Sequence, residues 1–214
     1  MSRQLDYHGM HEVFTRFRTH RTEPKGELEH VNAFTLLVAV VLSAQATDAG
    51  VNKATRSLFQ VADSPDKMVQ LGESGLIEYI RTIGLYQQKA KNVIRLSQIL
   101  IKEYGGEVPT SRAALVGLPG VGRKTANVVL NMWFSLPAQA VDTHIFRFGN
   151  RSGVAVGKDV AAVERAIEDH VPAEFQQHAH HWMILHGRYV CKARKPECPD
   201  CLIHDLCCFQ DKTA

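Results

Sequence analysis

All five cysteines of this 214-residue chain lie at or beyond position 191, and four of them are spaced Cys191-x6-Cys198-x2-Cys201-x5-Cys207. This quartet constrains the fold more than any other feature. Thiolates are soft ligands, and four in one short loop make a near-complete tetrahedral shell for a zinc ion or an iron–sulfur cluster. A disulfide framework is the rival reading. It fits poorly, because the rest of the chain carries no cysteine and its start does not resemble a secretory signal. Zinc sites usually show two closely spaced cysteine pairs, and here only Cys198 and Cys201 form one. The longer flanking gaps lean towards a four-iron cluster. Because Cys208 stands beside Cys207, counting alone does not settle the fourth ligand.

Composition sets the outer bounds. Hydrophobic residues make up 45% and charged residues 22%, an ordinary globular profile, and the length suffices for one large core or two small ones. The longest apolar run, Leu36 to Leu42, falls far short of a bilayer-spanning helix, so no membrane role is expected. A formal charge of +3 permits nucleic-acid binding only if the positive charge is gathered on one face. Cysteine usage and the missing signal together predict a cytoplasmic location.

Helix signals recur along the chain. Ser64-Pro65-Asp66 offers an N-cap serine with proline at the first helical position. Thr110-Ser111 opens another segment, and Val171-Pro172-Ala173-Glu174 repeats the proline start. Apolar residues at Val93, Ile94, Leu96, Ile99, Leu100 and Ile101 follow helical spacing. The run from Phe34 to Leu42 is apolar on nearly every side, and its length favours a central helix over a strand. With no alternating hairpin and no repeat, an all-α fold is predicted. Trp133 and Trp182 are expected in the core, and His178, His180 and His181 are read as surface or core histidines in preference to a metal tract.

The second chemical signal is Leu118-Pro119-Gly120-Val121-Gly122-Arg123-Lys124-Thr125-Ala126, a glycine turn between two helices. Gly120 and Gly122 permit positive φ and the close approach of another backbone. Amides at the following helix N-terminus would suit one DNA phosphate, whatever the sequence. A turn that merely joins two packed helices is the bland alternative. A nucleotide-binding P-loop fails on register, because Arg123 stands where its lysine must fall. Lys124 opens the second helix. It is either a solvated charge or, if the helix end and partial burial disfavour protonation, a nucleophile able to form a Schiff base with a sugar aldehyde. Further on, Asp142 in Val141-Asp142-Thr143-His144-Ile145-Phe146-Arg147 is either a helix cap or a catalytic carboxylate.

With these pieces in place, the chain resembles the endonuclease III family of helix-hairpin-helix DNA glycosylases and abasic-site lyases. Four blocks carry the resemblance: Leu42-Ser43-Ala44-Gln45-Ala46-Thr47-Asp48, the hairpin from Leu118 to Ala126, Val141 to Arg147, and the cysteine quartet. The resemblance implies two α-helical lobes flanking a DNA-binding cleft. One is a six-helix barrel over residues 26–136, with the hairpin at about 112–131. The other is a cluster lobe from residues 1–25 and 137–214, with its loop at 191–207. Lys124 would be the nucleophile and Asp142 the catalytic carboxylate. Cys191, Cys198, Cys201 and Cys207 would hold a [4Fe–4S] cluster. Gln45 would fill the gap left by an extruded nucleotide and Leu85 would wedge into the base stack, although a core role for Leu85 is equally compatible with its sequence. Gly120, Gly122, Arg123 and Lys195 would meet DNA phosphates, with Lys192 and Arg194 beside Lys195. The implied partner is double-stranded DNA containing oxidised pyrimidines or abasic sites, met by a monomer at the nucleoid. Adenine-mismatch glycosylases share the hairpin and cluster but typically lack the lysine. A DNA-binding redox sensor and a zinc-stabilised nucleic-acid module are the remaining alternatives.

Overall fold

The computed structural model describes residues 3–24 and 26–213. Among these residues the secondary structure is entirely helical: ten α-helices, one 3-10 turn and no strand. The fold class is therefore all-α, as the helix signals predict. The chain divides into two compact units, Glu27–Ser135 and Met1–Gly26 with Leu136–Ala214. No helix among the described residues is long and apolar enough to cross a membrane.

The contiguous unit is built around a helix buried on all sides. Helix α2 (Ala33–Ser43) starts from a capping box between Asn32 and Thr35, and every residue from Phe34 to Leu42 is buried. It packs against α3 (Asp48–Val61), α5 (Tyr86–Tyr104) and α7 (Arg123–Met132). A helix apolar on every face is stable only when wrapped in this way. Helix α4 (Pro65–Ile80) takes its N-cap from Ser64 and is interrupted at Gly72, whose φ of 71° leaves the helical region. The short α6 (Arg112–Val116) is capped by Ser111 and leads through the glycine turn into α7.

In the second unit, α1 (Tyr7–His20) is capped by Asp6. It packs in a core with α8 (Thr143–Ser152), α9 (Val160–His170) and α10 (Gln176–Tyr189). Rings of Phe14, Phe17, Phe148, Phe175 and Trp182 meet there at centroid separations of 5.7–6.2 Å. Helices α8 and α10 approach closely because position 187 is glycine: a Cβ there would come within 2.7 Å of the His144 carbonyl. Beyond Tyr189 the described chain holds no further helix. Trp182 is buried and donates through Nε1 to the Arg21 carbonyl. Trp133, expected in the core, is 41% exposed and meets only the edge of His30 among the aromatic rings. It is the residue after the last turn of α7, where the apolar face of that helix has already ended.

Candidate functional site

Lys124 is the second residue of α7 and is exposed. Its helix begins at Gly122, which has extended backbone (φ −90°, ψ 175°) and supplies no side-chain acceptor to the first-turn amides. Gly122 therefore does not use the positive φ open to glycine. What it provides is clearance, since a Cβ at that position would meet nothing within 4 Å. Gly120 does adopt a positive φ of 79°, and a Cβ there would press to 2.9 Å from Asn92 Nδ2. The hairpin is braced behind its turn, where Arg112 Nε donates to Asn127 Oδ1 at 2.7 Å and ties α6 to α7. Arg123, next to Lys124, is exposed.

Asp142 is the N-cap of α8, and its Oδ1 accepts from the His144 and Ile145 amides at 2.8 and 2.9 Å. The capping reading thus holds, and it is compatible with chemistry: two amides fix the orientation of a half-buried carboxylate.

Gln45 and Leu85 share an unusual property. Both are exposed non-glycine residues in the left-handed region, at φ 57° and 59°. That conformation costs about 1 kcal/mol or more for an L-residue and is held only where the surroundings impose it. Leu85 is 63% exposed, which overturns the core alternative. An apolar side chain held in solvent on a strained turn fits a contact surface far better than a packing role. Behind them lies Lys89, which is 5% exposed and donates through Nζ to the Leu42 carbonyl at 2.9 Å. Burial lowers the pKa of this ammonium.

The five cysteines are unpaired and half-buried. Cys191, Cys198, Cys201 and Cys207 line one partly open cavity of about 20 Å³, walled also by Phe148, Val190, Ile203 and Phe209. Cys208 does not line it: a Cβ at Gly153 would meet the Cys208 Sγ at 2.9 Å. Burial pushes the Cys201 thiol up to about 11, with the other three thiols of the quartet adding to the effect. A buried thiol in this setting becomes a thiolate when a positive group occupies the space between. Among the described residues, no three His, Cys, Asp or Glu side chains converge tightly enough for a single metal ion.

The surrounding loop is held largely by side chains bonding to backbone. Arg147 donates to the Cys191 and Gly187 carbonyls, and Arg151 to those of Lys192 and Ala193. Arg16 forks onto Asp205 while reaching the Leu202 carbonyl. Lys192, half-exposed, pairs with Glu197. Arg194 and Lys195 are exposed, and Lys195 sits at a positive φ of 48°. The sequence reading missed His186, buried with Nε2 3.4 Å from Cys201 Sγ, as well as Lys89. Only position along a helix signalled His186: it follows Trp182 and Met183 on the apolar side of α10. Nothing in the sequence marked Lys89 as buried.

The sequence profile of the HhH-GPD superfamily of base excision DNA repair proteins matches residues 38–173. The chain is 55% identical to the endonuclease III of Treponema pallidum, over 96% of this chain and 98% of that protein. It is also 55% identical to the endonuclease III of Escherichia coli K12, over 94% and 95% of the two chains. Among solved structures, a trapped covalent intermediate of an endonuclease III with DNA superposes with a TM-score of 0.87. It is 44% identical, with coverage of 95% of this chain and 96% of that one. A thermostable thymine-DNA glycosylase superposes at 0.79 with 26% identity, covering 92% and 93%.

Proposed function

This chain belongs to the HhH-GPD superfamily and within it to the endonuclease III family of base excision repair DNA glycosylases and AP lyases, and from that premise we propose that Lys124 removes oxidised pyrimidines and opens abasic sites through a Schiff base. The observation that carries this reading is the placement of Lys124: an exposed amine in the first turn of α7, directly after a glycine turn with open space at Gly122. The trapped covalent DNA intermediate of a relative lends support.

The lesion nucleotide leaves the stack, since its C1′ is unreachable inside a duplex. Gln45 fills the vacated space and Leu85 enters between neighbouring bases, offsetting part of an unstacking cost of a few kcal/mol. Amides at the start of α7, with Gly120, Gly122 and Arg123, hold a backbone phosphate, and Lys195 meets another. The Lys124 amine attacks C1′ and the damaged base departs with its bonding pair. Asp142, oriented by its two amides, takes the amine proton or stabilises positive charge on the sugar. Ring opening gives a protonated Schiff base, which acidifies the C2′ proton. Its loss expels the 3′ phosphate by β-elimination, and water then releases Lys124.

Cys191, Cys198, Cys201 and Cys207 would hold a [4Fe–4S] cluster, a reading supported by their shared cavity and by the exclusion of Cys208 from it. When bound, the cluster supplies four iron–thiolate bonds that cross-link residues 191–207. In this reading Glu27–Ser135 is the barrel lobe, the remainder is the cluster lobe, and the protein acts as a monomer on double-stranded chromosomal DNA in the cytoplasm.

Borohydride trapping on duplex DNA containing thymine glycol tests the proposal. Wild type should give a covalent adduct that Lys124→Ala loses while still binding DNA. Absence of an adduct from iron-replete wild type, on both the thymine glycol duplex and an abasic duplex, would sink the Schiff-base reading.

A further inference from the structure

Leu85 precedes α5, and Lys89 and Asn92 lie in its first two turns, three residues apart and so on one helical face. Lys89 and Asn92 each touch a different segment of the unit Glu27–Ser135. Leu85 is itself the strained N-cap, and its carbonyl accepts from the Lys89 amide at 3.0 Å. Lys89 Nζ donates to the Leu42 carbonyl, three residues before Gln45. Asn92 fills the space that a side chain at Gly120 would need, and Gln88 Nε2 donates to its Oδ1 at 3.0 Å.

The Lys89 contact is the informative one. The last carbonyls of α2 have no partner within their own helix, and the backbone departs from helical geometry at Ala44. An ammonium placed there satisfies one carbonyl and opposes the negative end of the helix dipole. It does so with a side chain that is almost fully covered, where desolvating a lysine carries a cost that an apolar side chain would avoid. The bond ends α2 at a defined point, just before the turn that forces Gln45 to positive φ. The backbone of the same residue closes the first turn after Leu85. One residue thus links the two turns: its backbone amide bonds Leu85, and its side chain bonds the end of α2 three residues before Gln45.

We propose that Lys89 is a positioning residue that fixes the spacing between the Gln45 turn and the Leu85 turn, so that both side chains enter a damaged duplex together. The proposal rests on the reading that Gln45 and Leu85 contact DNA. Lys89 touches neither substrate nor reacting atoms. Its effect should therefore appear in recognition of damage and vanish when the two side chains it positions are gone.

A double-mutant cycle tests this on full-length protein, using a duplex with an uncleavable tetrahydrofuran abasic analogue and an undamaged duplex. Lys89→Met should weaken tetrahydrofuran binding about tenfold, the size expected for losing one buried charge-assisted hydrogen bond. Undamaged affinity should change by less than about twofold, because phosphate contacts dominate it. Lys89→Arg, which keeps a donor, should restore most of the loss. In a Gln45→Ala/Leu85→Ala background the Lys89→Met effect should shrink to under about twofold. An undiminished loss in that background, or an equal loss on undamaged DNA, overturns the proposal and identifies a general structural role. Failure of the parent reading looks different: Gln45→Ala/Leu85→Ala alone would then leave tetrahydrofuran affinity unchanged. Thermal melting confirms folding of each variant, and if Lys89→Met does not fold, Lys89→Gln enters the same cycle.

Discussion

The unit Glu27–Ser135 and the segment from Val190 to Thr213 of the other unit reach order by different means. In the first, α2 is sheathed by α3, α5 and α7, and the ordering comes from apolar burial. In the second, few side chains are fully buried, and Ile203 stands alone as a buried hydrophobic residue. Its backbone is fastened by Arg147, Arg151, Arg16 and Thr213, which bond to carbonyls or carboxylates around a thiol-lined cavity. Burial of apolar surface is non-directional and tolerates repacking, whereas a set of polar contacts around a cavity depends on what fills the cavity. One region should yield gradually to substitution; the other should fail when its centre is removed.

The largest effect should follow from Cys201→Ser. Three remaining thiols would hold the cluster poorly, the visible iron–sulfur absorbance should be lost, and the 190–213 segment should be cleaved by protease at least about tenfold faster. Fragments ending within Glu27–Ser135 should stay rare. Equal cleavage in both regions would break the contrast. Next in size is Leu37→Ala at the centre of α2. It should cost about 2–5 kcal/mol through lost burial and a residual cavity, measured by denaturant unfolding. The chain carries two tryptophans, exposed Trp133 in one unit and buried Trp182 in the other, so single-tryptophan variants report each unit separately. The Leu37→Ala loss should register at Trp133 with the iron absorbance intact.

Sequence revealed these regions unevenly, and the reasons are physical. The helix at Phe34–Leu42 was legible because no solvated element is apolar on every face, and the starts at Ser64 and Ser111 because cap chemistry is local. The hairpin lysine and the quartet stood out because covalent chemistry and metal binding demand particular residue types at particular spacings. Leu85 and Trp133 were ambiguous or misread, since an apolar side chain carries no mark of which way it faces. Lys89 was invisible for the opposite reason: a lysine in a polar stretch reads as solvated, and only the carbonyl end of a helix distant in sequence explains its burial. Likewise, nothing local in the sequence shows that Cys207 lines the thiol cavity while Cys208 lies against Gly153.

Acid provides the finest separation of the two regions. His30 is the sole histidine within Glu27–Ser135; the other ten belong to the second unit. His181 is 8% exposed on α10, its Nδ1 has no hydrogen-bond partner, and burial, aided by nearby His178, pulls it from 6.5 to about 4. A base whose folded-state pKa is depressed contributes stability that is complete above its unfolded value and lost as pH falls towards the folded one. The window is therefore pH 6.5 down to about 4, with an upper bound on the loss of roughly 3.5 kcal/mol at 1.4 kcal/mol per unit. About 1–2 kcal/mol is expected once local relaxation admits water. Unfolding followed at Trp182, which neighbours His181 on the helix, should show this acid slope, and His181→Leu should reduce it, the remainder coming from His186, which burial also pulls to about 4. The same titration followed at Trp133 should be nearly level. Equal slopes at both tryptophans would mean that the two units unfold as one cooperative body, so that their different origins of order do not translate into separable stability.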